Sequence, residues 1–142
     1  DTDPNNADAW SGKGRALVQL DRYEEAITSF DKALDTDPND ANAWSGKGFA
    51  LCRLKKYEEG ITSYDKALKI DPDNAEVLHN EGHALRELGK MKQALVYYDK
   101  ATKVDPKRSD AWHDRGLVLD SLGLSKEAKK SHDRADELGY RD

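Results

Sequence analysis

Three histidines are the residues whose type and spacing could do chemistry in this chain. His79 and His83 lie four residues apart, so on a helix both imidazoles would project from one face. His113 follows His79 by 34 residues, an interval that recurs along the chain. Imidazoles on neighbouring rigid helices are ligands that Zn²⁺ and Ni²⁺ favour, so these residues form a candidate metal site. The interpretation that we favour is plainer: three polar surface positions carry histidine.

Other residue types offer little catalytic chemistry. Gly12-Lys13-Gly14 is similar to part of a phosphate-binding loop, yet it lies inside a helical pattern with no preceding strand and no G-x-x-x-x-G-K-[ST] frame. Cys52 is the only cysteine, and no histidine adjoins it in the sequence. No carboxylate pair indicates a glycosidase site, and no Ser-His-Asp arrangement stands out. We therefore predict a protein that is not an enzyme and uses no cofactor.

Charge and hydropathy exclude further function classes. The 142 residues carry a formal net charge of −5, which argues against a nucleic-acid partner because neutralising phosphates requires clustered Lys and Arg. No apolar run reaches the roughly 18 residues of a membrane span, and no signal-peptide pattern is found. A single cysteine suits a reducing compartment, so we expect a cytoplasmic protein.

An interval of 34 residues organises the whole sequence. Residues 7–40 and 41–74 agree at 22 of 34 positions, which chance does not produce. Prolines, glycines and two rows of small residues share one grid: Pro4, Pro38, Pro72 and Pro106; Gly14, Gly48, Gly82 and Gly116; Ala26, Gly60, Ala94 and Ala128; Ala33, Ala67, Ala101 and Ala135. Apolar residues at helical spacing over 8–20 and 24–36 predict two helices in each repeat.

The repeat pattern resembles that of the tetratricopeptide repeat family over the whole chain. The family's Trp, Gly, Ala, aromatic, Ala and Pro positions hold Trp10, Gly14, Ala26, Phe30, Ala33 and Pro38. The resemblance implies an all-α fold, a right-handed α-solenoid (superhelix) of four helix-turn-helix repeats. These repeats are 7–40, 41–74, 75–108 and 109–142, the last a divergent C-terminal capping repeat, while residues 1–6 are the tail of a preceding repeat. We expect one cooperative repeat domain.

Several packing expectations follow from the repeats. Gly14 and Gly48 should let the first helix approach the small residue of the second helix closely, because glycine has no Cβ. Gly12 and Gly46 have no evident packing reason. The family usually has leucine immediately before the glycine of each repeat. Polar residues occupy this position here, which predicts a solvated edge at Lys13, Lys47, Glu81 and Arg115. Cys52 is expected on an exposed helix face.

The resemblance implies that the first helices line a concave surface and that ligands bind there. Residues spaced three and four apart form a face separate from the packing stripe. The predicted partner-binding groove consists of Ser11, Arg15, Asn42, Ser45, Phe49, Arg53, His79, His83, Arg86, His113 and Leu117. Phe49 is the expected apolar anchor, and the arginines would bond acidic groups of the partner.

These observations predict a non-catalytic scaffold for protein–protein interaction, which binds a peptide segment or a partner helix in the groove. The alternatives are a metal-binding module that uses His79, His83 and His113, and a purely architectural spacer in a longer repeat array. One branch of the family grips chaperone tails with a carboxylate clamp, which this chain does not match, because Glu76 would repel the tail where the clamp has lysine.

The two ends of the array differ in polarity. Ala9, Ala16, Leu17 and Leu20 form an apolar face on the first helix, and such a face tends to find a partner. We therefore predict weak self-association through the N-terminal repeat. The last helix replaces apolar repeat positions by Ser125, His132 and Asp136, which suits an exposed capping face.

Overall fold

The computed structural model describes residues 6–141, and over this range the chain folds into eight α-helices without a strand. The helices are α1 (Ala7–Gln19), α2 (Tyr23–Thr36), α3 (Ala41–Arg53), α4 (Tyr57–Ile70), α5 (Ala75–Glu87), α6 (Met91–Val104), α7 (Ser109–Ser121) and α8 (Ser125–Glu137). The predicted all-α fold of paired helices is confirmed. The proposed tail at residues 1–6 lies outside the described residues except for Asn6. Within the described range, no helix has the length and apolar character required to cross a membrane.

Polar residues between the repeats start the first helix of three pairs. Asn6, Asp40 and Asn74 accept hydrogen bonds from the backbone N–H three residues ahead, at 3.2, 3.0 and 3.1 Å. Such caps satisfy N–H groups that have no partner inside the helix. Helix α7 differs, because Arg108 precedes it and makes no side-chain cap.

The chain divides into two compact units, Asp1–Pro72 and Asp73–Asp142, each with two helix pairs. In the first unit, α2 packs against both α1 and α3, and Phe30 is fully buried there at 0% exposure. In the second unit, α6 packs against α5 and α7, and Tyr98 occupies the equivalent buried position at 0% exposure. That the repeats unfold as one cooperative domain stays a prediction.

The Phe30 ring explains two glycines of the first unit. A Cβ placed on Gly14 would lie 2.6 Å from Cε1 of this ring, and a Cβ on Gly46 would also overlap the ring. Gly14 therefore makes room for an aromatic side chain, and its close approach to Ala26 stays a prediction. The expectation that Gly46 has no packing role was wrong, because its contact comes from the preceding repeat. A Cβ on Gly12 would meet no atom within 4 Å.

The second helix pair contains the close approach that the sequence predicts. A Cβ on Gly48 would lie 3.0 Å from the carbonyl oxygen of Gly60. The Cys52 sulfur occupies the space that a Cβ of Gly60 would need, so this repeat has glycine where the others have alanine. Cys52 is thus partly buried against α4, and the expectation of an exposed cysteine was wrong.

Of the four side chains predicted to form a solvated edge, only Lys13 is exposed. Lys47 Nζ lies 2.7 Å from Asp31 Oδ1 of α2, and its side chain is 24% exposed. Arg115 Nε lies 2.5 Å from Asp99 Oδ1 of α6, with 23% of the side chain exposed. Glu81 is 1% exposed. The expectation was wrong at these three positions, because neighbouring elements cover the side chains; for Lys47 and Arg115 the cover includes a carboxylate.

The last repeat substitutes a histidine for the buried aromatic ring. A Cβ on Gly116 would lie 2.5 Å from Cε1 of His132, so the imidazole fills the place that Phe30 and Tyr98 fill elsewhere. His132 Nε2 lies 3.0 Å from Asp120 Oδ2, and 30% of the His132 side chain is exposed. Ser125 and Asp136 are exposed as predicted, whereas His132 is partly core.

Candidate partner-binding surfaces

The predicted groove residues divide between the two units. We call the α1–α3 side that carries Ser11, Arg15, Asn42, Ser45, Phe49 and Arg53 the first-unit surface. We call the α5–α7 side that carries His79, His83, Arg86, His113 and Leu117 the second-unit surface. In each unit the two first helices contact one another, which brings the residues of one surface together.

On the first-unit surface, an aromatic ring stands among polar groups. Phe49 is half-buried, while Arg15 and Asn42 are exposed. Ser45 is half-buried, and its hydroxyl donates a hydrogen bond to the Asn42 carbonyl at 3.1 Å. Ser11 is only 5% exposed, so it contributes little area for a partner.

Arg53 is held at the beginning of α2. Its Nε donates a hydrogen bond to the Tyr23 hydroxyl at 3.2 Å, and the guanidinium carbon lies 5.7 Å from the centre of the Tyr23 ring. The Tyr23 hydroxyl in turn donates to Asp21 Oδ1 at 2.8 Å. The hydrogen bond to Tyr23 and the nearby charges raise the pKa of Arg53 above its usual range. Arg53 stays exposed and charged, but its position is set by Tyr23.

The centre of the second-unit surface is the Asp114 carboxylate, which was not among the predicted groove residues. His79 Nε2 lies 2.7 Å from Asp114 Oδ2, and Arg86 Nη1 lies 3.5 Å from Asp114 Oδ1. The side chains of His79 and Asp114 are 12% and 17% exposed. Burial acts to raise the pKa of Asp114, but the hydrogen bond from His79 and the charges of His79 and Arg86 outweigh it and hold that pKa below its usual value.

Arg86 is engaged by its own neighbours rather than presented to solvent. Besides Asp114, its Nη2 lies 3.1 Å from Nδ1 of His83, one turn earlier on α5. Loss of water around the His83 ring, followed by the positive charge of Arg86, lowers the pKa of His83. A partner carboxylate would have to displace Asp114 in order to reach Arg86.

Several buried polar atoms of this cluster make no hydrogen bond, and two of these lie on the His79 and Tyr98 rings. One is His79 Nδ1, which lies 3.9 Å from Asp110 Oδ2. The other is the hydroxyl of the buried Tyr98, whose ring centre lies 5.7 Å from that of His79. Asp110 and Asp114 are four residues apart on α7, as His79 and His83 are on α5. This matching spacing is the sequence signal that could have identified them.

The three histidines do not converge on a metal ion. His79 pairs with Asp114, whereas the His113 ring stacks on Tyr140 with 4.1 Å between ring centres and lies 5.5 Å from the His132 ring. Across residues 6–141, no group of three His, Cys, Asp or Glu side chains is arranged to hold a metal. The metal-binding alternative therefore has no coordination site in this part of the chain. Leu117 is 38% exposed on the same helix as His113.

Comparisons with known proteins agree with the repeat architecture. Family models described as tetratricopeptide repeat match residues 1–41, 11–75 and 75–108. The crystal structure of MamA is similar over 96% of this chain and 80% of that chain, with 24% identity and a TM-score of 0.91. At 24% identity, this similarity shows that the two chains share a fold.

Two further solved structures show the same likeness. MamA from Desulfovibrio magneticus RS-1 matches 94% of this chain and 76% of its own, with 25% identity and a TM-score of 0.87. The pilF protein of Pseudomonas aeruginosa matches 94% of this chain and 61% of its own, with 27% identity and a TM-score of 0.85. Among curated protein sequences, none matches this chain significantly.

Proposed function

The chain belongs to the tetratricopeptide repeat family, whose helical repeats serve as protein-binding scaffolds, and we propose that it holds a segment of another protein on the first helices of its repeats. The segment is a peptide or a helix, and no covalent step takes place. For the first-unit surface we propose an acidic segment with an apolar anchor.

The observation that carries this proposal is the environment of Phe49. Its ring is half-buried on a surface that is otherwise polar, so part of it remains available to a partner. Arg15 is exposed nearby on α1, and none of the ion pairs among the described residues uses it. An aromatic anchor beside an uncommitted guanidinium is a combination that often dominates binding energy at protein interfaces.

Replacing Phe49 tests the anchor. Phe49→Ala should weaken partner binding by about 1–3 kcal/mol, because it removes the anchor. It should leave the far-ultraviolet circular dichroism nearly unchanged, since the ring is only half-buried. The measurement is fluorescence anisotropy with labelled peptides that vary in charge and aromatic content.

Two matched variants control the Phe49 experiment. Val96→Ala removes an apolar side chain that is 48% exposed on α6, a second helix, and should leave binding unchanged. Trp44→Ala should instead cost about 3 kcal/mol of stability through a cavity, because the indole packs against the core and donates to the Pro38 carbonyl at 2.8 Å. If Phe49→Ala unfolds the protein, our assignment of binding and core faces is wrong.

A specific exposed residue also supports weak self-association through the N-terminal repeat. Leu20 at the end of α1 is 63% exposed, and Ala16 is exposed one turn before it. Leu17 is 8% exposed and belongs to the core, so its predicted place on the uncovered face was wrong. We propose that a second copy of this chain covers Ala16 and Leu20, because burying apolar area is favourable and non-directional.

A further inference from the structure

One side of α1 is uncovered, although the equivalent side of α3 and of α7 is buried. Ala9 is half-buried and Ala16 is exposed. Their counterparts in α3 and α7 are all 0% exposed: Ala43, Ala50, Ala111 and Val118. Helix α3 packs against α2, and α7 packs against α6. The second helix of the preceding repeat therefore lies next to this position in each unit, and α1 shows what such a helix would otherwise meet.

Two consecutive residues of α2 contact two consecutive residues of α3. A Cβ on Gly46 would overlap the ring of Phe30, so glycine leaves room for that ring. The next residue of α2, Asp31, pairs with Lys47, the residue that follows Gly46, at 2.7 Å. The charged half of this arrangement recurs in the second unit, where Asp99 of α6 pairs with Arg115 of α7 at 2.5 Å.

Helix α1 carries the same glycine and lysine without their partners. Gly12 and Lys13 repeat Gly46 and Lys47 in the phrase AWSGKG. A Cβ on Gly12 would meet no atom within 4 Å, so the room for a ring is open. Lys13 is exposed, its ammonium lies 5.2 Å from the centre of the Trp10 ring, and no carboxylate of residues 6–141 pairs with it. This side of α1 thus offers space for an aromatic ring beside a cation that lacks an acid.

We propose that this side of α1 binds a helix of a partner protein that carries an aromatic residue followed directly by aspartate. We call the side the α1 docking face, and it consists of Ala9, Gly12, Lys13, Ala16 and Leu20. The partner helix has apolar residues three positions before and four positions after the aromatic residue, as α2 has Ile27 and Leu34 around Phe30. This inference goes beyond the first-unit surface, because it concerns another side of α1.

Charge and apolar area together favour such a helix over the last helix of a second copy. Helix α8 does carry Asp133 at the position of Asp31. However, Lys129 and Asp136 stand where α2 has apolar residues, and burying these charges against alanines would be costly. A partner helix with apolar residues there instead buries area on α1, where Leu20 is 63% exposed.

The experiment is a titration of the ¹⁵N-labelled chain with a capped peptide of residues 23–36. A lactam bridge between positions 32 and 36, which are both exposed on α2, holds the peptide helical. The chain is kept at about 0.05 mM, where self-association with a dissociation constant on the order of 1 mM is negligible. The backbone amide signals of Gly12, Lys13 and Ala16 should shift with saturation.

Exchanging charges tests the role of Lys13. Lys13→Glu should weaken peptide binding about fivefold or more, because an attraction becomes a repulsion. A peptide with Asp31→Lys should bind the unchanged chain as weakly, and it should bind the Lys13→Glu chain more tightly. The matched control Lys126→Glu reverses an exposed lysine on α8 and should change neither affinity.

Gly12→Ala tests the room for the ring. The added methyl would overlap the Phe30 ring of the peptide, as a Cβ on Gly46 would overlap the Phe30 ring of α2, so affinity should fall about tenfold. Because alanine is the better helix former, the same substitution should not unfold the chain. A peptide with Phe30→Ala should bind the Gly12→Ala variant and the unchanged chain equally.

Three results would overturn the inference. The first is the absence of amide shifts on α1, and the second is an affinity that either Lys13→Glu or Gly12→Ala leaves unchanged. The third is self-association that Asp133→Lys abolishes while the peptide fails to bind, which would assign the face to α8 of a second copy. Phe49-dependent binding to the first-unit surface would remain in each case. Loss of that binding with intact helix docking would remove only the function proposed for the first-unit surface.

Discussion

At the scale of the residue, one sequence phrase has two structural meanings. AWSGKG occurs twice, so Gly12 and Gly46 occupy the same position of their repeats. A Cβ at Gly46 would overlap the ring of Phe30, which is fully buried. A Cβ at Gly12 would meet no atom within 4 Å. The same letter is thus required by packing at one position and unconstrained by the described residues at the other.

This difference predicts opposite effects for one substitution. Gly12→Ala should raise the free energy of unfolding by about 0.5–1 kcal/mol, because alanine loses less backbone entropy in a helix. Gly46→Ala should lower it by about 1–3 kcal/mol, because the added methyl overpacks the core. Urea denaturation of both variants gives the two values directly. Equal signs would contradict our account of the phrase.

At the scale of the element, capping distinguishes α7 from the other first helices. Asn6, Asp40 and Asn74 each satisfy a backbone N–H at the start of α1, α3 and α5, and Arg108 does not do so for α7. The end of the last repeat is closed differently, because Tyr140 follows α8 and stacks on His113 of α7. In α5 the equivalent residue, His79, is covered by Asp114 of the next first helix. Tyr140 therefore covers His113 in the last repeat, whereas the next first helix covers His79 in the third repeat.

A capping substitution tests this difference. Arg108→Asn should stabilise the second unit by about 0.5–1 kcal/mol, since the new cap exceeds the partly exposed ion pair with Asp110 that is lost. The matched control Asn74→Ala should destabilise the same unit by about 1 kcal/mol, because it removes an existing cap. Thermal denaturation followed at 222 nm measures both changes. A destabilised Arg108→Asn variant would show that the Arg108–Asp110 pair matters more than the cap.

At the scale of the whole molecule, apolar exposure is unequal between the two terminal helices. Helix α1 leaves Ala16 and Leu20 exposed, whereas the exposed positions of α8 are mostly charged, among them Lys126, Glu127, Lys129, Lys130, Asp133, Asp136 and Glu137. Self-association should therefore use α1, because Leu20 at its end is 63% exposed, against 42% for Leu124 at the start of α8.

The expected association is weak. A dissociation constant on the order of 1 mM, or about −4 kcal/mol, fits a small apolar face. Ala9→Lys combined with Ala16→Lys should give a monomer, because the two charges would have to be desolvated, while Asp136→Lys on α8 should leave association unchanged. Sedimentation velocity over a concentration series is the measurement. A strict monomer at millimolar protein would refute the proposal.

The sequence by itself determined the helices, the repeat and the family. Helical periodicity and capping residues act over three or four neighbours in the chain, so Asn6, Asp40 and Asn74 could be assigned before any tertiary contact was known. The 34-residue grid added the packing glycines, and the close approach of Gly48 to Gly60 was predicted correctly.

Only the tertiary structure decided what surrounds each polar or small side chain. Gly46 meets Phe30, Lys47 meets Asp31, and His79 meets Asp114, and each partner comes from another helix. Such contacts depend on the rotation and spacing of packed helices, which periodicity does not specify. Arg86 therefore looked available for an acidic partner in the sequence, and the structure places Asp114 beside it instead. The same packing buried Nδ1 of His79 at 3.9 Å from Asp110 Oδ2.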